Sequence, residues 1–451
     1  MTDTTTAEPQ VDLKEARRVS LASLVGASVE WYDFFIYGQA AALIFNKLFF
    51  PELDPVTGTL AGLATFGVGF AARPIGGIIF GHFGDRIGRK TALITTLLMM
   101  GIATVVVGFL PTYQQIGVAA PIILVALRLI QGIAVGGEWG GAVLMAVEHA
   151  PSKRRGLYGS WPQAGVPIAL IAASLVLYLL SVTLTDEQFE AWGWRIPFLA
   201  SIVLIAIGLI IRLKISESPL FRKLQQEGRQ LKVPILDVLR NAFGRVVLVI
   251  FVQAALNVGF YIISTYALTY ATQNAGFSRA DTLVALTIGA ILDFLAIPLW
   301  AALSDRIGRR PVIVIGALVL GVFMWPFFLL VDTGNPVLLV LAVSIGLVFG
   351  HAPFHSVLST FLPETFDVQS RYTGVSLGYQ FSGAIISGPT PLVAAALVTA
   401  AGSYYPVIVM MGVATVVTLV CLALLKETQG RDMSQQLKDS AAPSTVSPAE
   451  R

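Results

Sequence analysis

The chain has 451 residues, 55% of them hydrophobic and 13% charged, with a net charge of +3 at pH 7. Its mean hydropathy is +0.75. A soluble domain is nearer a quarter charged, so this composition points to a chain dissolved in lipid. The single Cys421 excludes an intrachain disulfide framework and a multi-cysteine metal site.

The opening stretch, Met1–Arg18, is too polar and too acidic for a signal peptide, and no convincing cleavage site follows it, so the next apolar block reads as a retained span. A span takes roughly 20 mainly apolar residues. Blocks of that kind fall at 20–46, 58–83, 91–110, 117–147, 157–181 and 194–213, then at 244–272, 281–303, 311–331, 336–362, 371–400 and 403–425. Backbone groups in lipid must bond internally, and runs this long without strict alternation argue for helices over a barrel. The expected fold is therefore an all-α integral membrane protein, with twelve transmembrane helices in two pseudo-symmetric six-helix bundles.

The bundles are expected at 19–213 and 244–426. Between them, 214–243 is basic, carries Ser216-Glu217-Ser218-Pro219 and Pro234, and reads as a cytoplasmic linker. The ends, 1–18 and 427–451, are polar and read as disordered cytoplasmic tails. Of the 30 lysines and arginines, 25 fall on one side of these spans. Only Lys47, Arg195 and Arg279 fall on the other side, with Arg73 and Arg128 inside spans. The positive-inside rule then places both termini in the cytoplasm, which requires an even number of spans.

Gly81-His-Phe-Gly-Asp85-Arg86-Ile-Gly88-Arg89-Lys90 follows the second span, and Ala301-Ala-Leu-Ser-Asp305-Arg306-Ile-Gly308-Arg309-Arg310 follows the eighth, offset by 220 residues at every matched position. Shorter echoes link Arg155-Gly-Leu-Tyr158-Gly159 with Arg371-Tyr372-Thr-Gly374, and Glu217-Ser218 with Glu427-Thr428. In such a turn glycine lets helix ends approach, aspartate suits the positive end of a neighbouring helix dipole, and the basic residues sit among headgroups. A plain basic loop that sets topology is the alternative, and the duplication argues against it.

With these motifs the sequence resembles the major facilitator superfamily over nearly all of 20–426. That family carries this signature in its cytoplasmic 2–3 loop and repeats it weakly in the 8–9 loop. More narrowly, Gly26-Ala-Ser-Val-Glu30-Trp-Tyr-Asp33-Phe-Phe-Ile-Tyr-Gly38 is similar to the metabolite:proton symporter family. So are Arg73-Pro74-Ile-Gly-Gly, Arg128-Leu-Ile-Gln131-Gly132, Gly136-Gly-Glu138-Trp139-Gly-Gly and Trp192-Gly-Trp-Arg195-Ile-Pro-Phe. That family includes uptake systems for shikimate, α-ketoglutarate, citrate and proline/betaine. The resemblance implies a cytoplasmic gate built from Gly81, Asp85, Arg86, Gly88 and Arg89 and from Asp305, Arg306, Gly308 and Arg309. Ala301 replaces the leading glycine of the second copy, so that turn is expected to pack less closely.

An ionisable side chain near the bilayer centre costs about 2.5–3.5 kcal/mol on insertion scales, so several of them imply a lined cavity. At 1.5 Å per residue, Asp33, Arg73 and Glu138 fall near mid-depth, with Glu30 nearer the cytoplasm and Arg128 nearer the outside. A buried carboxylate beside an arginine can exchange a proton as its surroundings change. Asp33, Glu30, Arg128 and Glu138 are thus the candidates for proton coupling, against the alternative of fixed structural ion pairs. Candidate substrate contacts are Arg73, Arg128, Gln163, Asn257, Asp293, His351, His355 and Gln380. Arginine suits a carboxylate through its bidentate geometry. His351 and His355 stand one helical turn apart without a recognisable third ligand, so no metal site is expected, and packing histidines are the alternative reading. The glycines of 62–81 and 132–141 read as packing positions that let helices approach.

No Gly-Lys-Ser/Thr phosphate loop and no H-E-x-x-H is present, so neither an ATP-driven nor an enzymatic reading has support. The expectation is a proton-coupled symporter importing a small organic acid, shikimate-like or dicarboxylate, by alternating access at the cell inner membrane. A zwitterionic osmolyte such as proline or betaine is the first alternative. A drug-efflux antiporter is the second, although Gly159–Ile168 does not match the G-x-x-x-G-P pattern of those proteins cleanly. A transporter-like sensor would carry a long signalling domain, which the short tails argue against. Beyond the proton as coupling ion no cofactor is expected. The expected partners are the substrate and the bilayer, with no nucleic acid and a monomeric chain.

Overall fold

The computed structural model describes residues 13–87, 89–136, 154–214, 242–366 and 371–430, with a few single positions between them. Gly88, Glu138 and most of the expected linker lie outside these residues, as do the side chains of Gly81, Asp85, Arg86 and Arg89.

Among the described residues, twelve long helices follow the apolar blocks. The first half holds α1 (Leu13–Leu43), α2 (Pro55–Ile87), α3 (Arg89–Phe109), α4 (Ala119–Val135), α5 (Arg155–Thr183) and α6 (Arg195–Lys214). The second holds α7 (Phe243–Gln273), α8 (Arg279–Ile307), α9 (Arg309–Val331), α10 (Pro336–Thr365), α11 (Arg371–Ala401) and α12 (Tyr405–Leu424). Local chemistry fixes several ends. Ser278 caps α8 by accepting from Asp281 N while Asp281 accepts from Ser278 N, a reciprocal capping box. Asn335 caps α10, whose first residue is Pro336.

Ten of the twelve are long and apolar enough to cross a membrane by length and composition. Of the other two, α4 is described over 17 residues. The remaining helix, α1, carries the buried Glu30 and Asp33.

The sequence repeat reappears as a repeat of packing. Helix α1 packs on α5, α2 on α4 and α3 on α6; in the second half α7 packs on α11, α8 on α10 and α9 on α12. Between halves, α5 packs on α8 and α2 on α11, pairs that exchange under the same repeat. Helix α7 is the most enclosed, 78% of its apolar window being buried, against 28% for α6. The seam between halves therefore runs past α7, while α6 turns its apolar side chains outward.

Close helix approach is set by glycine where it matters most. A Cβ on Gly132 would stand 2.1 Å from the Gly69 carbonyl oxygen, and one on Gly136 2.0 Å from that of Arg73. The obstructing atoms are backbone and cannot swing aside, so α2 and α4 touch main chain to main chain. Gly132→Ala is expected to force them apart at a cost of about 1–3 kcal/mol. The measurement is the midpoint of thermal unfolding in detergent, and an unchanged midpoint would contradict so close a contact.

Three π-helical turns interrupt the second half: Ile262–Tyr266 in α7, Gly346–His351 in α10 and Gly383–Ser387 in α11. Each widens the helix by one residue, a distortion that concentrates at functional sites. Nothing in the apolar runs foretold them, yet the second and third contribute His351, Gly383 and Ser387 to the cavity between the halves, and the first begins directly after its lining residue Tyr261.

Candidate functional site

A cavity of about 30 Å³ lies between the halves, lined by Trp31, Phe70, Arg73 and Val166 from the first and by Gln253, Asn257, Tyr261, His351, His355 and Tyr379, among others, from the second. That volume holds one or two waters. Inter-half contacts bridge it at both ends. On the side carrying the second Asp-Arg-Ile-Gly-Arg turn, Ser359 Oγ donates to Gly159 O (2.6 Å) and Gln380 Nε2 to Gly136 O (2.8 Å). At the opposite end Arg279 pairs with Asp186 (3.5 Å) and lies 4.3 Å over the Phe189 ring, while Gln273 Nε2 donates to Thr59 (3.2 Å). Among the described residues the halves therefore touch at both ends of the cavity.

Arg73 projects from α2 into this cavity and is only 2% exposed. Its helix is continuous through the following Pro74. The guanidinium lies 4.3 Å over Phe70, 4.4 Å over Phe34 and 5.3 Å over Trp31. Ring faces stabilise a buried cation while leaving its in-plane N–H groups available. Arg73 forms no ion pair among the described residues, and its Nε has no hydrogen-bond partner.

Arg128 does not line the cavity. It sits behind the rings, 4.1 Å over Phe34 and 4.2 Å over Tyr37, with Nε and Nη2 unpartnered. Gly69 makes its room: a Cβ there would stand 2.5 Å from Arg128 Nε. Gly69 thus belongs to the site as well as to the packing, which corrects the reading of the glycine run as packing alone.

Asp33, 3% exposed, accepts from Ser201 Oγ at 2.6 Å and stands 3.0 Å from Thr104 Oγ1. It makes no direct pair with Arg128. Two side chains intervene: Arg128 Nη1 donates to Gln131 Oε1 (3.2 Å), and Gln131 Nε2 donates to Thr104 Oγ1 (2.8 Å). Because an amide and a hydroxyl separate the charges, rearranging either hydroxyl changes what the carboxyl sees. Glu30 is buried nearby under positive charge from Arg73 and Arg212.

In the second half, Asp293 Oδ2 lies 2.9 Å from His351 Nδ1, both residues 1% exposed. His351 stacks on Phe260 at 4.4 Å and on His355 at 4.5 Å. Gln163 Nε2 donates to the His355 carbonyl (3.0 Å) and lies 3.4 Å from His355 Nδ1. The structure brings Asp293, His351, His355 and Gln163 into one cluster, of which only the histidines reach the cavity. Asn257 also lines it, donating through Nδ2 to Ser382 Oγ (2.9 Å).

Gln380 is not among the lining residues. Its Nε2 donates to Gly136 O and joins α11 to α4, while its Oε1 is buried without a hydrogen-bond partner among the described residues. Conversely, Gln253, Tyr261 and Tyr379 line the cavity without having stood out, since a neutral polar residue in an apolar run leaves no charge signal.

The second turn forms a tight junction. Asp305 Oδ1 and Oδ2 accept from the N–H groups of Gly156 (2.9 Å) and Leu157 (3.1 Å), at the start of α5 in the other half. Arg309 Nη1 holds Asp305 at 2.7 Å, and its Nε lies 3.6 Å from Glu364. Gly308 has φ +105° and turns the chain between α8 and α9. Arg306 is exposed and stands outside this junction. Burial alone would raise the Glu427 carboxyl, but backbone N–H groups of Gln429, Arg310, Arg309 and Thr428 hold it below its ordinary value. It therefore stays ionised at the start of α9. Looser packing at Ala301 is not what the structure shows. Ala301 is fully buried, and a Cβ on Gly156 would stand 2.9 Å from its carbonyl oxygen, so the facing helix supplies the missing glycine.

The family model for the Major Facilitator Superfamily matches residues 23–389 and again 295–449. The chain is 42% identical over 427 residues to the shikimate transporter of Escherichia coli (strain K12), covering 94% of this chain and 97% of that protein. It is 41% identical to the inner membrane metabolite transport protein YhjE of the same organism, over 93% of this chain and 96% of that one. Identity to the E. coli proline/betaine transporter is 34%, over 94% and 86%. Among solved structures, the partially occluded inward-open conformation of the xylose transporter XylE from E. coli matches with a TM-score of 0.73 at 17% identity, over 93% of this chain and 100% of that one.

Proposed function

The chain belongs to the Major Facilitator Superfamily of membrane transporters, and on that premise we propose that it is a proton-coupled symporter importing a small organic acid across the cell inner membrane. The observation that carries this reading is Arg73: a buried cation facing the inter-half cavity, with no carboxylate paired to it among the described residues. Among the described residues no carboxylate lines that cavity, and the rings of Trp31, Phe34 and Phe70 already carry the guanidinium. A substrate carboxylate completes such a site. A quaternary ammonium would find no anion among the described lining residues and would face the Arg73 cation, which disfavours the osmolyte alternative despite the proline/betaine relatives.

In this reading Asp33 carries the proton, Arg128 tunes it through Gln131 and Thr104, and the two halves rock about the cavity. The termini face the cytoplasm, on the side of the basic loops, and the chain works as a monomer. The test is uptake into proteoliposomes, with and without an inward proton gradient, of a panel of organic acids and osmolytes. Accumulation of an acid only with the gradient is expected. Uptake indifferent to the gradient would remove the symport claim, and accumulation of betaine alone would remove the acid. Net outward flux of drugs in everted vesicles would favour the antiporter.

Asp305 serves in the same reading as the cytoplasmic latch, since its bonds to α5 must break when that side opens. Losing a helix cap costs about 1–2 kcal/mol, so Asp305→Ala is expected to raise the population open to the cytoplasm by roughly tenfold. A cysteine at Ser160, in a Cys421→Ser background, would report this as faster alkylation from the cytoplasmic side. An unchanged rate would show that Asp305 does not hold the gate.

A further inference from the structure

At the end of the cavity away from the Asp305 turn, the first half presents a stiff element, 185–194, between α5 and α6. Thr185 and Gln188 cap it reciprocally, Gln188 N donating to Thr185 Oγ1 (3.3 Å) and Thr185 N to Gln188 Oε1 (3.1 Å). A π-helical turn, Phe189–Gly193, follows and keeps Phe189 buried. Two basic side chains pin the element to its own half. Lys47 Nζ pairs with Glu190 (2.5 Å), and Arg195 donates to Ala191 O (2.9 Å) and Leu110 O (3.1 Å). The third basic residue expected on this face, Arg279, comes from the other half, and its guanidinium lies 4.3 Å over the Phe189 ring.

Arg279 stands where two rules oppose a cation. It is the first residue of α8, at the positive end of the helix dipole. It also falls on the face that basic residues otherwise avoid. The helix does not need it there, since Ser278 and Asp281 already cap α8. What it gains lies across the seam. Its ion partner Asp186 is 3.5 Å away with a side chain 82% exposed, and a surface pair of that kind contributes little and is screened by salt. The ring beneath it is buried, and a partly desolvated cation over a ring face is held more strongly. The polar contacts beside it, Gln273 to Thr59 (3.2 Å) and Thr269 to Ala42 O (3.5 Å), are neutral.

We propose that the stack of Arg279 on Phe189 is the latch of the outer gate, the counterpart of Asp305 at the inner one. The halves part at this end only when the guanidinium leaves the ring, and the ion pair with Asp186 adds little to the hold. The proposal rests on the alternating-access reading and names what closes its outer side. The two latches differ in kind: the inner one is a carboxylate on backbone N–H groups, the outer one a cation on a ring face.

The test is the rate of maleimide alkylation of the purified full chain in detergent, in a Cys421→Ser background, with either of two reporters. Thr269→Cys lies on α7, about two turns beyond the lining residue Tyr261 towards the outer end, at a buried position facing α1. Ser160→Cys is buried near the Asp305 turn. Arg279→Gln and Phe189→Leu should each speed alkylation of Thr269→Cys about tenfold, a shift of about 1.4 kcal/mol, and leave that of Ser160→Cys no faster. Phe189→Tyr keeps the ring face and should hold the unaltered rate. Asp186→Asn should change it by less than about twofold, as befits an exposed pair. Arg279→Gln, at a partly exposed helix start, carries the test even if Phe189→Leu fails to fold. Faster alkylation at both reporters would mean a loosened fold and overturns the latch. So does an unchanged Thr269→Cys rate in Arg279→Gln, or an Asp186→Asn effect as large as that of Arg279→Gln. Alkylation needs no substrate, so absent proton-driven uptake in the unaltered chain counts against the symport reading alone.

Discussion

Replacing Asp33 with asparagine is expected to abolish proton-driven accumulation while leaving exchange of substrate across the membrane intact. The substitution is nearly isosteric and its surroundings tolerate it. Ser201 Oγ can still donate to Oδ1, and the new amide can donate to Thr104 Oγ1, whose own hydrogen then goes to Met100 O, already 3.0 Å away. The helix keeps its packing and only the titratable group is lost. With one proton carried per substrate, a pH difference of one unit supports about tenfold accumulation, since each factor of ten is worth about 1.4 kcal/mol. Asp33→Asn should bring that ratio to one, with counterflow of labelled substrate in proteoliposomes persisting. Full accumulation in the variant would move the proton to another acid. Glu30, buried under the charges of Arg73 and Arg212, would then be the first to test.

The connection between Asp33 and Arg128 shows where reading the primary structure reaches its limit. Both residues are conspicuous there, because a charge inside an apolar run is expensive and therefore informative. Their relation is not, because Gln131 and Thr104 are ordinary polar residues on α4 and α3 whose meeting depends on how α1, α3 and α4 pack. Asp293 and His351 follow the same pattern, each visible alone and joined only by the packing of α8 on α10. The twelve helices and the paired turns are legible since they rest on apolar length and on repetition. The π-helical turns are not, because one extra residue per turn leaves the composition unchanged. Gln253 and Tyr379 stayed hidden for want of charge, and Gly69 was lost among neighbours serving only helix approach. Gln380 illustrates the converse, a conspicuous amide whose hydrogen bond goes to backbone across the seam.

Arg73 yields a prediction in which binding and stability move in opposite directions. If the guanidinium were a clamp between helices, removing it would destabilise the fold. Among the described residues it makes no direct ion pair; it lies on ring faces beside a cavity, with the buried Glu30 acting on it only through its field. An unpaired cation near mid-membrane is itself a burden of about 2.5–3.5 kcal/mol on insertion scales. Arg73→Met keeps an apolar stem against Phe70 and Trp31 and removes that burden, so the thermal midpoint of the ligand-free protein should hold or rise. Substrate binding should fall by two to three orders of magnitude, because truncating one partner of a buried charge pair costs about 2–5 kcal/mol. Arg73→Lys separates charge from geometry: it retains the cation but loses the planar fork and the stacking, and should recover only part of the affinity. Titration of both variants alongside melting curves without ligand reads the two effects independently. A lower midpoint with unchanged affinity would return Arg73 to packing and leave the cavity without its anion-binding group. Lost affinity in a fold as stable as before is what an arginine held on ring faces for a substrate carboxylate requires.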